Sequence, residues 1–258
     1  MTMYVITHKH FYYQNLPNGY MPLLVGANKN ANPDNFLTDN TGNNISAKNV
    51  SYCEETGLYW IIKNTNDKNI GISHYRRYFA NFKNRKSMLL SILLKGKVKP
   101  ISTEILDEIL RNGYAWIVSQ QEAGGPGTIW NQFALNHNIE DLKTTEKVIS
   151  DLYPEYLSDF EQVIKNSETG SFYNMFYTSR QEAEAYSNWL FDILFEVEKQ
   201  TNIADYDSYQ KRLYGFLAER LMNVWLHHRK AKVKYLPVFD LSKMNRKYAW
   251  KKIKGRMK

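Results

Sequence analysis

The chain has 258 residues, 43% hydrophobic and 14% aromatic, which is enough apolar material for one sizeable core in which most of the 19 Tyr and 6 Trp belong. A single cysteine, Cys53, excludes an intramolecular disulfide framework and an all-cysteine zinc site, and is in keeping with a reducing compartment. The net charge of +8 sits in the last 17 residues, which hold eight Lys or Arg and no acid, so the remainder is neutral with 26 charges of each sign and lacks the basic body of a duplex-binding protein.

The N-terminal run MTMYVITHKHFYY turns basic at His8, Lys9 and His10 and lacks the apolar core of a signal peptide, so secretion is not expected. Met3–Thr7 and Pro22–Gly26 are short apolar runs bounded by turn residues, which predicts buried strands. Residues 28–49 are rich in Asn, Asp, Gly and Thr and read as a long loop, a length uncommon without a function. Tyr52–Lys63 reads as a helix and Asn69–Ser73 as a strand running into His74-Tyr75-Arg76-Arg77. The patch Met88–Leu94 is far too short to span a bilayer. Flanked by Lys83, Arg85, Lys86, Lys95, Lys97 and Lys99, it is instead a candidate for the plane of a membrane interface.

Pro100 and Ser102 open a helix that Asn112-Gly113 closes, and Tyr114–Val118 is the next strand. After a Gly-rich turn at 124–127, helices are expected over Trp130–His137, over Glu140–Leu152 and from Pro154, then a strand over Phe172–Thr178. Arg180–Gln200 and Tyr206–His228 both place apolar residues at helical spacing. Strands alternating with helices, then a helical C-terminal half, indicate an α/β fold with a mixed central sheet. The basic, aromatic segment 242–258, with Tyr248, Trp250, Ile253 and Met257, divides from a body of residues 1–241. It reads either as an anchor on an anionic membrane surface or as a solubilising tail.

Ligands of open α/β sheets lie beyond the carboxyl ends of the strands, which singles out His8-Lys9, Asp39–Asn44 and His74–Arg77. Two adjacent arginines after a buried strand need acidic partners or a ligand, and their planar forks suit phosphate oxygens. In an extended segment His74 and Arg76 share one face and Tyr75 and Arg77 the other, so one pair is expected in a given cleft. On the helix from Tyr206, Arg220 falls within the apolar stripe and needs a buried partner or a ligand, while Glu219 shares a flank with Arg212 and Asn223. Glu219 is thus a candidate catalytic carboxylate, in competition with Asp207 and Asp39.

The runs DNTGNNISAKN (39–49), YCEETGLYW (52–60), IGISHYRRYF (70–79), HNIEDL (137–142), LYPEY (152–156), YNMF (173–176) and DSYQKRLYGFLAERLMNVWL (207–226), in that order, resemble the DUF4422 family of bacterial capsular and exopolysaccharide synthesis proteins. The resemblance covers nearly the whole chain. It implies a GT-A-like nucleotide-sugar transferase fold, and relatives that look like inverting galactofuranosyltransferases. Many GT-A enzymes carry a D-x-D metal motif after the strand that here runs into His74-Tyr75-Arg76-Arg77. No D-x-D stands there, so Arg76 and Arg77 are expected to neutralise the leaving diphosphate, with Mn or Mg as the alternative.

Inverting transfer also needs a group that accepts the acceptor's proton. The donor-binding set is then His8, Lys9, Asp39, Asn40, Asn43, His74, Arg76 and Arg77. The acceptor or base set is His137, Asp141, Asp207 and Glu219, with Arg212 and Arg220 as further candidates and His137 equally readable as a capping or packing residue. The expected partners are a UDP-sugar, a polyprenyl-diphosphate-linked glycan and the inner face of the cell membrane, which places the protein in the cytoplasm as a peripheral protein; nucleic acid is not expected. A noncatalytic polysaccharide-assembly or lipid-binding protein on the same fold is the other reading.

Overall fold

A computed structural model describes residues 1–255. Strand β1 (Thr2–Thr7) is buried along almost its whole length, and its unbroken apolar sequence suits a central strand covered on both faces. β2 (Tyr20–Leu24) and the two-residue β3 (Leu37–Thr38) continue a parallel sheet on one side of it. The short helix α1 (Asn49–Tyr52) and α2 (Glu55–Asn64) follow. A Cβ on Gly57 would come within 2.7 Å of Ile6 Cδ1 and 3.0 Å of Val25 Cγ1, so the missing side chain is what lets α2 lie this close to the sheet.

β4 (Asn69–His74) pairs parallel with the other side of β1, and β5 (Arg77–Phe79) turns straight back on β4 through the single pair His74↔Arg77. α3 (Arg85–Lys95) starts at a reciprocal Asn84/Ser87 cap and stops at Gly96, whose φ of 77° is the left-handed stop that glycine supplies. α4 (Thr103–Arg111) lies within its expected limits. β6 (Trp116–Ser119), α5 (Ile129–Asn136), α6 (Ile139–Leu152) and α7 (Leu157–Phe160) come next.

β7 (Phe176–Ser179) begins four residues later than its apolar run suggests, because Tyr173 and Asn174 are left-handed and cannot extend a strand. α8 (Arg180–Gln200) spans its expected range; α9 (Leu213–His228) starts later than expected, after a separate turn of 3₁₀ helix at Gln210–Arg212. β8 (Val233–Leu236), β9 (Val238–Asp240) and α10 (Arg246–Lys254) complete the described chain.

The strand order is β3-β2-β1-β4-β7-β6-β8, with β7 antiparallel to both neighbours and β9 attached through β5. The sheet is therefore mixed, with one core on each face. One core packs α2, α5, α6, α8 and α9 on the sheet; the other holds residues of α3, α4 and α10. From β1 the chain steps outward to β2 and β3 and then crosses back to β4 on the other side of β1, which puts a topological switch point at the carboxyl ends of β1 and β4.

The boundary expected at residue 241 runs through folded structure. β9 pairs with β5, and α10 packs along α3 through Tyr248, Ala249 and Ile253, so residues 242–255 are docked on the body instead of trailing from it. Met257, named above as part of a membrane-facing tail, lies outside the described residues. The Met88–Leu94 patch is mostly turned inward as well: Met88, Leu89 and Ile92 are buried, and Leu90 and the 75%-exposed Leu94 face outward. Among the described residues no helix is long and apolar enough to cross a membrane.

Candidate active site

The switch point opens into a cavity of about 420 Å³. One wall is the end of β1, where Thr7 Oγ1 donates to the Lys9 carbonyl (2.6 Å) and turns the chain so that His8 reaches the cavity. The β4–β5 turn forms the next wall. Tyr75 N donates to the Ile6 carbonyl (3.0 Å) and Leu241 N to the Arg76 carbonyl (2.8 Å), which pins this two-residue turn from both sides. A tight turn abolishes strand alternation, so His74, Tyr75, Arg76 and Arg77 all line the same cavity, and the expected division into two faces does not hold.

The two arginines are sparsely partnered. Arg76 Nε and Arg77 Nε lie 4.0 and 3.9 Å from Asp240 Oδ2, too far for a hydrogen bond, and the guanidinium groups rest over the Tyr75 and Tyr173 rings. Arg212 enters from the turn before α9. Its Nε donates to Cys53 Sγ (3.4 Å), and its guanidinium lies over Phe216. Burial pushes the Cys53 thiol up to about 12, so Cys53 is no thiolate nucleophile at neutral pH. Burial, then Lys9, Arg76 and Arg212, hold the His8 imidazole below its ordinary value, and it faces the cavity as a neutral ring.

The opposite wall carries two carboxylates, Glu54 at the start of α2 and Glu219 on α9. Glu219, 21% exposed, accepts from Tyr173 N (3.1 Å) through Oε1 and from Arg220 (2.9 Å) through Oε2. Burial raises its pKa first; Arg220 opposes that and the Glu54 charge adds to it. Arg220 itself is 3% exposed, held by the Phe216 carbonyl and Gln132 Oε1 and flanked by the Phe133 and Phe172 rings. The charge in the apolar stripe is thus resolved by an ion pair behind the cavity wall, a pair whose breakage typically costs about 3–5 kcal/mol.

A family profile described as "Domain of unknown function (DUF4422)" matches residues 2–230. The chain belongs to the DUF4422 family. Its fold is similar to that of WbbM, a bifunctional glycosyltransferase solved in its apo form, with a TM-score of 0.81 and 25% identity. That match covers 94% of this chain and 45% of WbbM, so the DUF4422 chain spans less than half of that protein's length. No curated protein matches. The mixed α/β architecture with a helical C-terminal half is accordingly a glycosyltransferase-like fold, as the resemblance implied.

Of the residues expected at the DUF4422 site, His8, His74, Arg76, Arg77, Arg212 and Glu219 line the cavity; Lys9 is not among the lining residues, and its Nζ lies over the Tyr75 ring. Asp39 does not. It is fully buried, and its two oxygens accept from Gly26 N, Ala27 N, Ser46 Oγ and Thr56 Oγ1, which makes it the staple of the long loop. Asn40 bonds to Asn28 on the surface, and Asn43 is held by Tyr59 and Asn64, both away from the cavity.

Three of the expected bases are likewise scaffold. Asp141 is buried and accepts from Tyr206 OH (2.8 Å). Asp207 caps the turn before α9 through Tyr209 N and Gln210 N. His137 packs on Phe133, Phe216 and Tyr209 and pairs with Gln210, the packing alternative left open for it above. Among the cavity residues that sequence reasoning passed over are Glu54, Cys53, Ser208, Tyr173 and Asn49. Glu54 and Tyr173 lie inside the YCEETG and YNMF motifs already quoted, so the signal was a polar or aromatic residue within a family motif, without a strand end to draw attention to it.

Proposed function

We propose that this DUF4422 chain is a glycosyltransferase that moves a sugar from a UDP-sugar to a glycan acceptor. One observation carries the reading: Arg76, Arg77 and Arg212 converge on a single cavity at the switch point of the sheet, and among the described residues none of them donates a hydrogen bond to a carboxylate. Such forks match phosphate oxygens two bonds at a time, and a departing diphosphate needs that charge. Among the described residues no three His, Cys, Asp or Glu side chains are grouped to hold a metal ion, so guanidinium groups are the positive charge this chain itself offers there. The likeness to WbbM gives independent support to a transferase.

In the transfer, the acceptor hydroxyl loses its proton to a base of the cavity as its oxygen bonds to the anomeric carbon. The bond from that carbon to the β-phosphate oxygen breaks on the opposite face, and the electron pair leaves with UDP against the arginines. Galactofuranose as the sugar and inversion at its anomeric carbon rest on the family resemblance. A polyprenyl-diphosphate-linked glycan at the inner leaflet is the acceptor that suits a chain whose α10 presents Lys247, Trp250, Lys251 and Lys254 on one exposed face.

Titration calorimetry with UDP, repeated with a chelator and with added manganese, tests the reading. Binding that survives the chelator and weakens in Arg76→Ala and Arg77→Ala is expected. Transfer by Arg76→Ala should fall about 10²–10³-fold, the usual effect of losing one preorganised contact to a developing charge. Undiminished transfer would remove the arginine clamp from the mechanism, and absence of UDP binding would remove the transferase.

A further inference from the structure

Two consecutive non-glycine residues beside the cavity, Tyr173 and Asn174, have left-handed backbones with φ of 88° and 48°. Each such residue costs on the order of 1–3 kcal/mol and persists only where its surroundings hold it. Here the dipeptide is held by three titratable side chains of the site. Tyr173 N–H donates to Glu219 Oε1 (3.1 Å), the Tyr173 carbonyl lies 2.5 Å from His74 Nε2, and Asn174 Nδ2 donates to Glu54 Oε1 (2.8 Å) and to the Gly215 carbonyl (3.1 Å). Contact with a carbonyl requires His74 to carry its proton on Nε2; burial, helped by Arg77 and Arg76 and opposed by the Glu54 charge and the Tyr173 carbonyl, keeps that ring below its ordinary pKa and so neutral.

The two carboxylates are left in different states. Each oxygen of Glu219 accepts one hydrogen bond, from a backbone N–H and from Arg220, whose guanidinium stays charged, so the whole carboxylate is held in place. Glu54 has one oxygen fixed by Asn174, and among the described residues its Oε2 receives no hydrogen bond. A general base needs an uncommitted lone pair within reach of the hydroxyl it deprotonates, with the rest of the group held still. Glu54 has the free oxygen and the fixed one, and it stands half-buried on the wall of the same cavity as the arginines.

Resting on the transferase reading above, we propose that Glu54 is the base that deprotonates the acceptor, and that Glu219, one of the bases expected from the sequence, is a positioning residue that acts through Tyr173. The acceptor proton passes to Glu54 Oε2 as the acceptor oxygen bonds to the anomeric carbon. The glycosyl–phosphate bond breaks, its electron pair leaves with UDP, and Glu54 later releases its proton through the open cavity. Asn174 belongs to the same device: the strain at 173–174 is retained because it places one donor on each carboxylate.

The experiment compares Glu54→Gln, Glu54→Asp and Glu219→Gln with the unaltered chain. The readouts are calorimetric UDP affinity and UDP release from UDP-galactofuranose, with octyl galactoside or water as acceptor. Glu54→Gln should keep its UDP affinity and lose about 10²–10⁴-fold in kcat. Glu54→Asp should recover part of that kcat at the same UDP affinity, which separates a proton role from misfolding. Glu219→Gln, which keeps an acceptor for the Tyr173 N–H, should lose less kcat than Glu54→Gln. Wild-type-like turnover in Glu54→Gln, or a larger loss of kcat in Glu219→Gln than in Glu54→Gln, would overturn the assignment while leaving the transferase standing. If the unaltered protein bound no UDP and released none from the donor, both would fall together.

Discussion

Glu55, next in sequence to Glu54, has the opposite environment and a different consequence. It is buried at the start of α2, and its Oε2 finds no hydrogen-bond partner in the described chain. Burial, then the Glu54 and Glu219 charges, raise its pKa well above the ordinary 4.5. The unfolded chain releases this proton near 4.5 and the folded chain only at higher pH. Between those two values the folded state binds more protons, so Glu55 makes stability fall as pH rises through that window. Glu55→Gln keeps the shape and removes the ionisation. Its melting temperature should therefore match that of the unaltered chain near pH 4 and exceed it by a margin that grows toward neutral pH, followed by scanning fluorimetry from pH 4 to 8. A gap that stays constant with pH would mean that Glu55 ionises in the folded protein as freely as in the unfolded one.

Among elements, legibility in the sequence followed length and period. β1, α4, α6 and α8 are recoverable because long apolar repeats or clear caps define them. β5, β8 and β9 are three or four residues long and include Arg77, Lys234 and Asp240, so nothing local marks them; long-range pairing makes them strands. The site was half legible for the same reason. Strand ends pointed to His8 and His74–Arg77, but the β4–β5 turn that gathers all four residues from 74 to 77 is held by contacts distant in sequence, Ile6 on one side and Leu241 with the β9 pairing on the other. Asp39, in a polar loop, looked like a ligand contact, and only the folded loop shows its oxygens already taken.

The helix α10 is the clearest case of an element concealed by its charge. Its lysines read as a tail, yet Ala249 is fully buried and Tyr248 and Ile253 pack beside it on the α3 core. Arg246 also donates to the Leu94 carbonyl (3.2 Å), which ties the start of α10 to the end of α3. Ala249→Glu would bury a carboxylate without a partner, a substitution that typically costs several kcal/mol where it is not relieved by undocking. Relief is available here, so amide exchange should accelerate across 244–254 and on the α10-facing side of α3, with β1, α8 and α9 unchanged. Equal acceleration throughout the domain would make α10 part of the global folding unit; unchanged exchange would deny its docking.

For the whole molecule, the docked helix changes what the basic segment can do. With Ala249 and Ile253 turned inward, Lys247, Trp250, Lys251 and Lys254 share the outward face at helical spacing, and residues 242–255 contain no acid. Lys254 Nζ lies 4.9 Å from the centre of the Trp250 ring. A small cavity of about 80 Å³ shares Arg77 and Tyr173 with the candidate active site and extends to Met244 and Tyr248, so the basic face is joined to that site through adjoining side chains. On an anionic bilayer each lysine near the headgroups contributes about 1 kcal/mol, and an interfacial Trp adds apolar contact. Lys247→Glu/Lys251→Glu/Lys254→Glu should then lower sedimentation with phosphatidylglycerol vesicles by about 10²-fold or more in partition coefficient, while calorimetric UDP affinity stays unchanged. Vesicles of phosphatidylcholine should bind neither protein, and raising the salt to about 0.5 M should release the unaltered chain as the charges are screened. Binding that survives both the triple substitution and the salt would place the membrane contact elsewhere on the surface, with the exposed Leu90 and Leu94 of α3 next to be tested, and would separate the rigid docking of α10 from any part in bringing the cavity to a lipid-linked acceptor.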